Sequence, residues 1–205
     1  MEHYYRNHWE KVFETKSDSQ KSWFEDYPHT SMKFISDAGL SKDASIIDVG
    51  GGDSKLVDAL LGAGYTNITV LDISEKAIEN AKERLGNRAE IVKWIVADVF
   101  DIDFASNYDC WHDRAVFHFV TEPEKVNRYI QIMADAVKST GTLIVGTFAE
   151  DGPEKCSGLP AMRYTQVSLV KALSNYFHKV YCIEEIHNTP FNTSQAFTFC
   201  LLKRA

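Results

Sequence analysis

The chain has 205 residues, of which 44% are hydrophobic and 25% are charged, and its formal net charge is −7. This length and composition are ordinary for a soluble globular protein that forms one domain with a sizeable core. The acidic balance argues against a nucleic-acid backbone as the main partner, because phosphate binding needs a basic face. We also expect no membrane partner, since no apolar stretch approaches the ~18 residues that cross a bilayer and the polar N-terminus is not a signal peptide.

Four cysteines are scattered along the chain, at Cys110, Cys156, Cys182 and Cys200, without a C-x-x-C pair. Two of them lie in apolar, strand-like runs, where cysteine usually acts as a small hydrophobic residue. We therefore expect a reducing compartment and a cytoplasmic protein.

The first 40 residues predict a helical arm with a short amphipathic helix over 4–14 and another helix over 31–38. Between these helices an aromatic-rich segment holds Trp23, Phe24 and Tyr27. These aromatic side chains could pack the arm on the domain, or they could form a lid whose aromatic face covers a bound cation. The two interpretations are compatible.

A short apolar run over residues 45–50 is followed by three glycines and then by a helical pattern over 54–62. This pattern indicates a strand, a tight turn and a helix, a unit that holds nucleotides because the glycines leave the backbone amides open to a ligand. Asp48 lies inside the apolar run, and the amides of the glycine turn are its expected hydrogen-bond donors. Asp72 follows Gly52 by twenty positions and ends a second apolar run, where a carboxylate can accept both hydroxyls of a ribose.

Strand and helix patterns then alternate along the chain. We assign strands to 45–50, 67–72, 91–96, 108–113 and 142–148, and helices to 54–62, 74–85 and 122–138. Gly141 is expected to separate the last of these helices from the strand that follows it. Alternation of this kind predicts a parallel sheet covered by helices on both faces. After a helix over 166–174, the β-rich runs at 180–186 and 196–203 have no helix between them and should pair antiparallel.

Several of these segments resemble the class I S-adenosylmethionine-dependent methyltransferases. The likeness is strongest in I-I-D-V-G-G-G-D-S at Ile46–Ser54, L-D-I-S at Leu71–Ser74 and A-D-V-F at Ala97–Phe100. Y-D-C-W-H-D-R-A-V-F-H-F at Tyr108–Phe119 is similar to small bacterial enzymes of the methyltransferase-12 type. H-W-E-K-V-F at His8–Phe13 loosely resembles the N-terminal segment of methyltransferase-like protein-lysine enzymes.

The resemblance implies a three-layer Rossmann-like α/β fold, with a mostly parallel seven-stranded sheet and an antiparallel C-terminal strand pair. It implies a single domain over residues 1–205. Residues 1–40 would form the helical arm and cap, 45–150 the cofactor-binding core, and 151–205 the substrate-side loop and C-terminal strands.

The resemblance also implies S-adenosylmethionine as the cofactor and S-adenosylhomocysteine as its product. Asp48 and the Gly50–Gly52 backbone would hold the methionine portion, Asp72 the ribose, Ile73 the adenine face, and Asp98 with Val99 the adenine edge. His112 and Asp113 would lie beside the methionine end, and Trp23 would cover the site. Ser54 departs from the third glycine of the family pattern, a position that chiefly permits close helix–strand packing.

The densest ionisable cluster of the sequence is formed by His112, Asp113, Arg114 and His118. One hypothesis is that His112 or His118 faces the methyl acceptor as a base or an orienting group. Another is a purely structural network of Asp113 with Arg114. We expect no metal site, because His112 and Asp113 point to opposite faces of a strand.

Two loops could reach the acceptor, since ligands of open α/β sheets bind outside the carboxyl ends of the strands. The loop at 152–160 carries Cys156, which is either a thiol nucleophile or a packing residue, and 187–191 is either a pocket wall or an ordinary hairpin connection. Together with the residues discussed above, the candidate acceptor contacts are Trp23, Arg114, His118 and Cys156.

The resemblance implies methyl transfer to an unidentified small-molecule acceptor, and we expect a monomer or weak homodimer. A protein-lysine methyltransferase is the first alternative. A module that binds S-adenosylmethionine without catalysis is the alternative of another class. A short-chain oxidoreductase is disfavoured, because no Tyr-x-x-x-Lys pair follows the fourth strand.

Overall fold

The computed structural model of the protein describes residues 2–105 and 108–205. Its strands are β1 (Ile46–Val49), β2 (Ile68–Asp72), β3 (Lys93–Val96), β4 (Tyr108–Arg114), β5 (Val137–Phe148), β6 (Lys155–Cys156), β7 (Leu159–Pro160), β8 (Phe177–Asn188) and β9 (Ser194–Arg204). Its α-helices are α1 (Glu2–Thr15), α2 (His29–Asp37), α3 (Leu56–Gly62), α4 (Glu75–Leu85), α5 (Pro123–Ala136) and α6 (Gln166–Leu173).

Seven of these strands form one sheet in the order β3-β2-β1-β4-β5-β9-β8. The pairs from β3 to β5 are parallel, whereas β9 runs antiparallel to both of its neighbours. The strand order reverses between β1 and β4, the place where open α/β sheets bind their ligands. The predicted seven-stranded, mostly parallel sheet with an antiparallel C-terminal pair is confirmed.

Helices cover both faces of the sheet, so the molecule has three layers. One core lies between the sheet and helices α5 and α6, and it contains the fully buried Trp111 and Tyr129. The other lies between the sheet and helices α2, α3 and α4, and it contains Phe34, Leu60 and Phe199. Burial of such side chains contributes roughly 1.5–3 kcal/mol each, which fixes the strand ends that carry the polar residues.

The prediction that Gly141 separates a helix from a strand is wrong. α5 ends at Ala136, and β5 begins at the next residue. β5 then runs through Gly141, where a Cβ would lie 3.2 Å from the carbonyl oxygen of Asp109 on the neighbouring strand. The β4–β5 register shifts between Tyr108 and Cys110. The glycine therefore permits a close approach within an irregular strand, which the sequence could not distinguish from a helix break.

β6 and β7 form a small hairpin within the segment where the sequence indicated only a loop. Its two turn residues, Ser157 and Gly158, both have positive φ angles, of 49° and 83°. Positive φ at both central positions is the geometry of the tightest hairpin turns. The hairpin brings Cys156 to a buried position.

The structure corrects the expectation that the cysteines act only as hydrophobic residues. Cys182 and Cys200 form a disulfide, while Cys110 and Cys156 are free and buried. The two bonded residues lie directly opposite each other on β8 and β9. Residues in such a cross-strand pair are close enough for a disulfide bond. The argument from unpaired cysteines to a reducing compartment therefore does not hold. Within the described ranges, no helix is both long enough and apolar enough to cross a bilayer.

Candidate active site

A cavity of about 440 Å³ lies at the carboxyl ends of β1, β2 and β4, below helix α1 and the N-terminal arm. Its wall contains most of the residues that the sequence singled out. These are Trp23, Asp48, Gly50, Gly51, Gly52, Asp72, Ile73, Asp98, Val99, His112, Arg114 and Cys156. Asp113 and His118 are not among the wall residues.

The glycine turn passes through spaces that a side chain would fill. A Cβ at Gly51 would lie 2.6 Å from Oδ2 of Asp48, and a Cβ at Gly50, where φ is +64°, would lie 1.9 Å from Val116. The amides of Gly50 and Gly51 donate to the carbonyl oxygen of Leu71 at 2.7 and 3.2 Å. The expectation that the glycine amides satisfy Asp48 is thus wrong for these two, because the turn extends the β1–β2 hydrogen bonding instead.

Asp48 is paired with His112, its direct neighbour on the adjacent strand. Nδ1 of His112 lies 2.7 Å from Oδ1 of Asp48, and Nε2 of His112 lies 2.9 Å from Oγ of Ser31 on α2. The three residues are 2–3% exposed and all lie in the cavity wall. Sequence reasoning missed Ser31, since a serine in the first turn of a helix carries no sign of a distant partner.

Asp72 is a buried carboxyl group at the end of β2. Burial raises its pKa to about 7, although hydrogen bonds from the amides of Ser74 and Gly52 favour the charged form. The Ser74 amide donates to Oδ1 of Asp72 at 2.8 Å. Further donors would favour the charged form of this carboxyl group, and ribose hydroxyls would supply them. Asp98 caps the turn that follows β3 by accepting from the Phe100 amide at 3.0 Å.

The prediction that places Asp113 at the cofactor is corrected by its position on the opposite face of the sheet. Its carboxylate accepts from the amides of Val116 and Phe117 and from the Tyr129 hydroxyl, the last at 2.6 Å. Burial raises the pKa of Asp113 to about 6. These hydrogen bonds to Asp113 therefore stabilise the turn that follows β4, and Arg114 is not the partner of Asp113.

His118 cannot face a methyl acceptor as the sequence suggested. The side chain is fully buried, with its ring centre 4.4 Å from that of Phe148 and its Nδ1 3.4 Å from the Phe148 amide. Burial lowers the pKa of His118 to about 3. The turn after β4 points this ring into the protein, so His118 is neither a base nor an acceptor contact.

Arg114 instead ties β4 to the N-terminal arm. Nη1 donates to the carbonyl oxygen of Trp23 at 3.0 Å, and Nη2 lies 3.3 Å from Oε1 of Glu25. Nδ1 of His187, in β8, lies 3.4 Å from the same Glu25 oxygen. Burial alone would raise the pKa of Glu25, but the hydrogen bond from His187 and the charge of Arg114 bring it below its ordinary value. Glu25 is thus a partly buried anion in the cavity wall.

Helix α1 covers the cavity with aromatic side chains that the sequence assigned only to an amphipathic helix. Trp9 packs edge to face on Trp23 and Phe119, with ring centres 5.8 and 5.4 Å apart. Phe13 also contacts Trp23, and all four rings lie in the cavity wall. The arm therefore packs on the domain and covers the site at the same time.

Cys156 also lies in the cavity wall. Burial raises the pKa of its thiol to about 11, so the group is neutral near pH 7. A neutral thiol is a weak nucleophile, which favours the packing interpretation of Cys156 over the nucleophile. Within residues 2–105 and 108–205 no group of three His, Cys, Asp or Glu side chains is placed to hold a metal ion.

Residues 47–145 match the family model described as "Methyltransferase domain". This span contains the glycine turn, Asp72 and His112, that is, the strand ends that form the floor of the cavity. Over this span the chain is similar to a methyltransferase domain, and solved S-adenosylmethionine-dependent methyltransferases share its fold. The backbone of Gly51, which carries no side chain, and the buried carboxyl group of Asp72 fit S-adenosylmethionine. Both would contact a nucleoside with its attached amino acid.

Two curated relatives are similar to part of this chain. Malonyl-[acyl-carrier protein] O-methyltransferase of Anoxybacillus flavithermus is 29% identical over 123 residues, which is 60% of this chain and 44% of that protein. Human EEF1A lysine methyltransferase 2 is 25% identical in an alignment 159 residues long, which covers 68% of this chain and 66% of that protein. The chain thus spans less than two thirds of the length of either relative.

Solved structures share the whole fold at low identity. The Burkholderia thailandensis 1,6-didemethyltoxoflavin-N1-methyltransferase, solved with 1,6-didemethyltoxoflavin and S-adenosylhomocysteine, aligns with a TM-score of 0.74 and 16% identity. The alignment covers 100% of this chain and 91% of that chain. At this identity the likeness is one of fold, and it includes the N-terminal arm.

Proposed function

We propose that this domain transfers the methyl group of S-adenosylmethionine to a small-molecule acceptor that binds under helix α1. The observation that carries the proposal is a single cavity with two unlike walls. One wall is the glycine turn with Asp72, and the other is an aromatic and charged surface formed by Trp9, Trp23 and Arg114. The cofactor supplies a methyl group that is activated by its attachment to a sulfonium sulfur.

The first wall provides the contacts proposed for the cofactor. Asp72 would accept the ribose hydroxyls, and Ile73 with Val99 would enclose the adenine, while Asp98 would receive its edge. The backbone of the glycine turn would approach the methionine portion without side-chain obstruction. These roles are supported by the joint presence of the residues in one cavity wall.

The second wall provides the acceptor site. Trp9, Trp23 and Phe119 present ring surfaces, and the Arg114–Glu25 pair presents both a hydrogen-bond donor and an acceptor. Methyl transfer is an in-line displacement, so the main task of the protein is to hold the two reactants in contact and to exclude water. Helix α1 lies across the cavity and suits this task. It also limits the acceptor to a compact molecule.

A protein lysine is the second candidate acceptor. Glu25 is a partly buried anion beside aromatic rings, an arrangement that would also bind an amine. The name of the human relative, a lysine methyltransferase, favours this candidate. The cover formed by α1 argues against it, because a lysine side chain needs an open groove for the peptide that carries it.

The acceptor screen compares these proposals directly. Purified protein is incubated with tritium-labelled S-adenosylmethionine and either a panel of small phenols, acids, thiols and amines or a panel of lysine peptides. We expect label in small molecules, with stoichiometric S-adenosylhomocysteine. Label in peptides alone would replace the first candidate by the second. Cofactor binding without label in either panel would contradict both candidates and support a non-catalytic binding module.

A further inference from the structure

His112 uses both of its ring nitrogens inside the protein. Nδ1 lies 2.7 Å from a carboxylate oxygen of Asp48, and Nε2 lies 2.9 Å from the hydroxyl of Ser31. A base must present a free lone pair to the proton that it abstracts. His112 therefore has no nitrogen left for a direct contact with a methyl acceptor, and any proton that reaches it must pass through Ser31.

The donor and acceptor roles in the hydrogen bonds between Asp48, His112 and Ser31 follow from the chemistry of the carboxylate and the hydroxyl group. An ionised carboxylate only accepts hydrogen bonds, so Nδ1 of His112 carries the hydrogen that points to Asp48. In the neutral ring Nε2 then holds a lone pair and accepts from the Ser31 hydroxyl. The Ser31 oxygen keeps its own lone pairs for a further donor. The arrangement is that of an activated hydroxyl oriented by a histidine and a carboxylate.

The position of Ser31 decides which reactant this hydroxyl would meet. The contacts proposed for the cofactor come from the ends of β1, β2 and β3, whereas Ser31 belongs to α2 and lines the cavity together with Trp23 and Glu25. Trp23 and the Arg114–Glu25 pair are contacts proposed above for the acceptor. A hydrogen bond that served only to hold α2 on the sheet would not need to lie in the cavity wall.

The charged groups around His112 would support a transient positive charge on its ring. Asp48 contacts it directly from β1, and Glu25 of the arm interacts with it electrostatically. Asp113, the next residue of β4, also interacts with it from the opposite face of the sheet. Arg114 is the opposing cation, and it is paired with Glu25. Anions therefore outnumber cations around the ring.

We propose that Ser31 relays a proton from the methyl acceptor to His112, and that the acceptor is a protic group such as a phenol or enol hydroxyl. The proposal rests on the proposed methyl transfer. As the acceptor oxygen forms its bond to the methyl group, the bond from methyl to sulfur breaks and its electron pair stays on sulfur. The acceptor proton moves to the Ser31 oxygen while the Ser31 proton moves to Nε2 of His112. The ring releases that proton to solvent after the product leaves.

The first test reads the hydrogen positions without any reactant. Nitrogen NMR of histidine-labelled protein near pH 7.5 reports which ring nitrogen is protonated, with His112 assigned by its through-space contacts to Ser31. We expect a hydrogen on Nδ1 alone, and a shifted Nε2 resonance in Ser31→Ala. A hydrogen on Nε2 overturns the relay, because Ser31 could then not pass a proton to the ring.

The second test compares two probe acceptors of unlike acidity, phenol and 4-nitrothiophenol, the second of which is ionised before it binds. We expect Ser31→Ala to lower kcat for phenol by at least tenfold and to remove the rise of kcat with pH. It should leave the thiophenol rate and the cofactor affinity within about twofold, and Ser31→Thr should restore the phenol rate. A smaller fall with phenol, or an equal fall with both probes, overturns the proposal.

The two tests separate this inference from the proposed function. If neither probe nor any panel compound is methylated, the proposed transfer fails while the tautomer of His112 still decides the hydrogen-bond direction. If methylation occurs and the tautomer is wrong, the relay alone fails. Where Ser31→Ala does not fold, the tautomer in the wild-type protein decides the question.

Discussion

The carboxylate of Glu10, in helix α1, accepts a hydrogen bond at 2.7 Å from the backbone amide of Glu75, the first residue of helix α4. The same carboxylate accepts from the Ser74 hydroxyl and the Lys76 amide at 2.9 and 3.0 Å. A negative charge at a helix N-terminus is favourable, since the first amides have no partner within the helix. Glu10 thus fastens the cover of the cavity to the helix that follows Asp72.

Replacing Glu10 by alanine should destabilise the protein by about 1–2 kcal/mol, the usual effect of losing an N-terminal cap. Because the cover is then released from α4, affinity for S-adenosylmethionine should fall as well. Chemical unfolding and a cofactor titration measure the two effects. Glu14→Ala is the matched control, since Glu14 is exposed on the same helix. Equal behaviour of the two variants would show that the Glu10 cap has no energetic role.

The glycine turn should not tolerate even a methyl group. Gly51→Ala would place a Cβ 2.6 Å from Asp48 and 2.7 Å from Val70, so the β1–β2 strand ends would have to separate. We expect a loss of about 1–3 kcal/mol of unfolding free energy, as for other overpacked cores, and loss of measurable cofactor binding. Gly62→Ala, with no atom within 4 Å, is the control and should be neutral or slightly stabilising. Normal cofactor affinity in Gly51→Ala would contradict the proposed approach of the ligand to this backbone.

Two buried carboxyl groups predict how stability depends on pH. The pKa of Asp72 is raised to about 7 and that of Asp113 to about 6, both by burial, from an ordinary value of 3.8. Between about pH 4 and about pH 7 these two groups bind more protons in the folded than in the unfolded state, so their contribution to the unfolding free energy falls as pH rises. His118, whose pKa burial lowers, contributes in the opposite direction. Asp72→Asn should reduce this slope in chemical unfolding series. A slope unchanged by the variant would mean that Asp72 is ionised throughout this range.

The disulfide between Cys182 and Cys200 closes a loop with a sequence separation of 18. A loop of this length predicts a stabilisation of about 3 kcal/mol, chiefly through the unfolded chain. Thermal unfolding with and without a reductant should show a lower midpoint after reduction. The double variant Cys182→Ser/Cys200→Ser should unfold at one temperature under both conditions. If the wild-type unfolding midpoint were the same with and without reductant, the disulfide would not contribute to stability.

The sequence was sufficient to predict the structural features that depend on a local residue pattern. The glycine turn, the acidic residue at the end of β2 and the alternation of strands with helices each follow from periodicity over a few residues, and the structure brings Asp48, Asp72 and Asp98 to one cavity. The direction of a side chain after a strand end is less predictable. His118 and Asp113 lie within six residues of His112, yet neither lines the cavity. The turn at 117–119 buries His118, and the alternation of side chains along β4 places Asp113 on the opposite face of the sheet.

Features that join distant parts of the chain were beyond the sequence. Ser31 meets His112, and Glu10 meets α4, only because α1 and α2 fold back across the sheet, a placement that no local pattern specifies. The pairing of Cys182 with Cys200 depends on the register of β8 with β9, which a shift of one residue would abolish. These long-range contacts supply the cover and the proposed proton path.

The central claim is that Asp72 and the glycine turn bind S-adenosylmethionine, and calorimetric titration of the purified protein with this cofactor tests it most directly. We predict saturable binding at one site, weakened by about 10- to 100-fold in Asp72→Asn, because hydrogen bonds to a charged acceptor contribute about 1.5–3 kcal/mol. Asp103→Asn, at an exposed position outside the cavity wall, should bind as the wild type does. The absence of binding to the wild-type protein, or equal affinities of all three proteins, would contradict the claim.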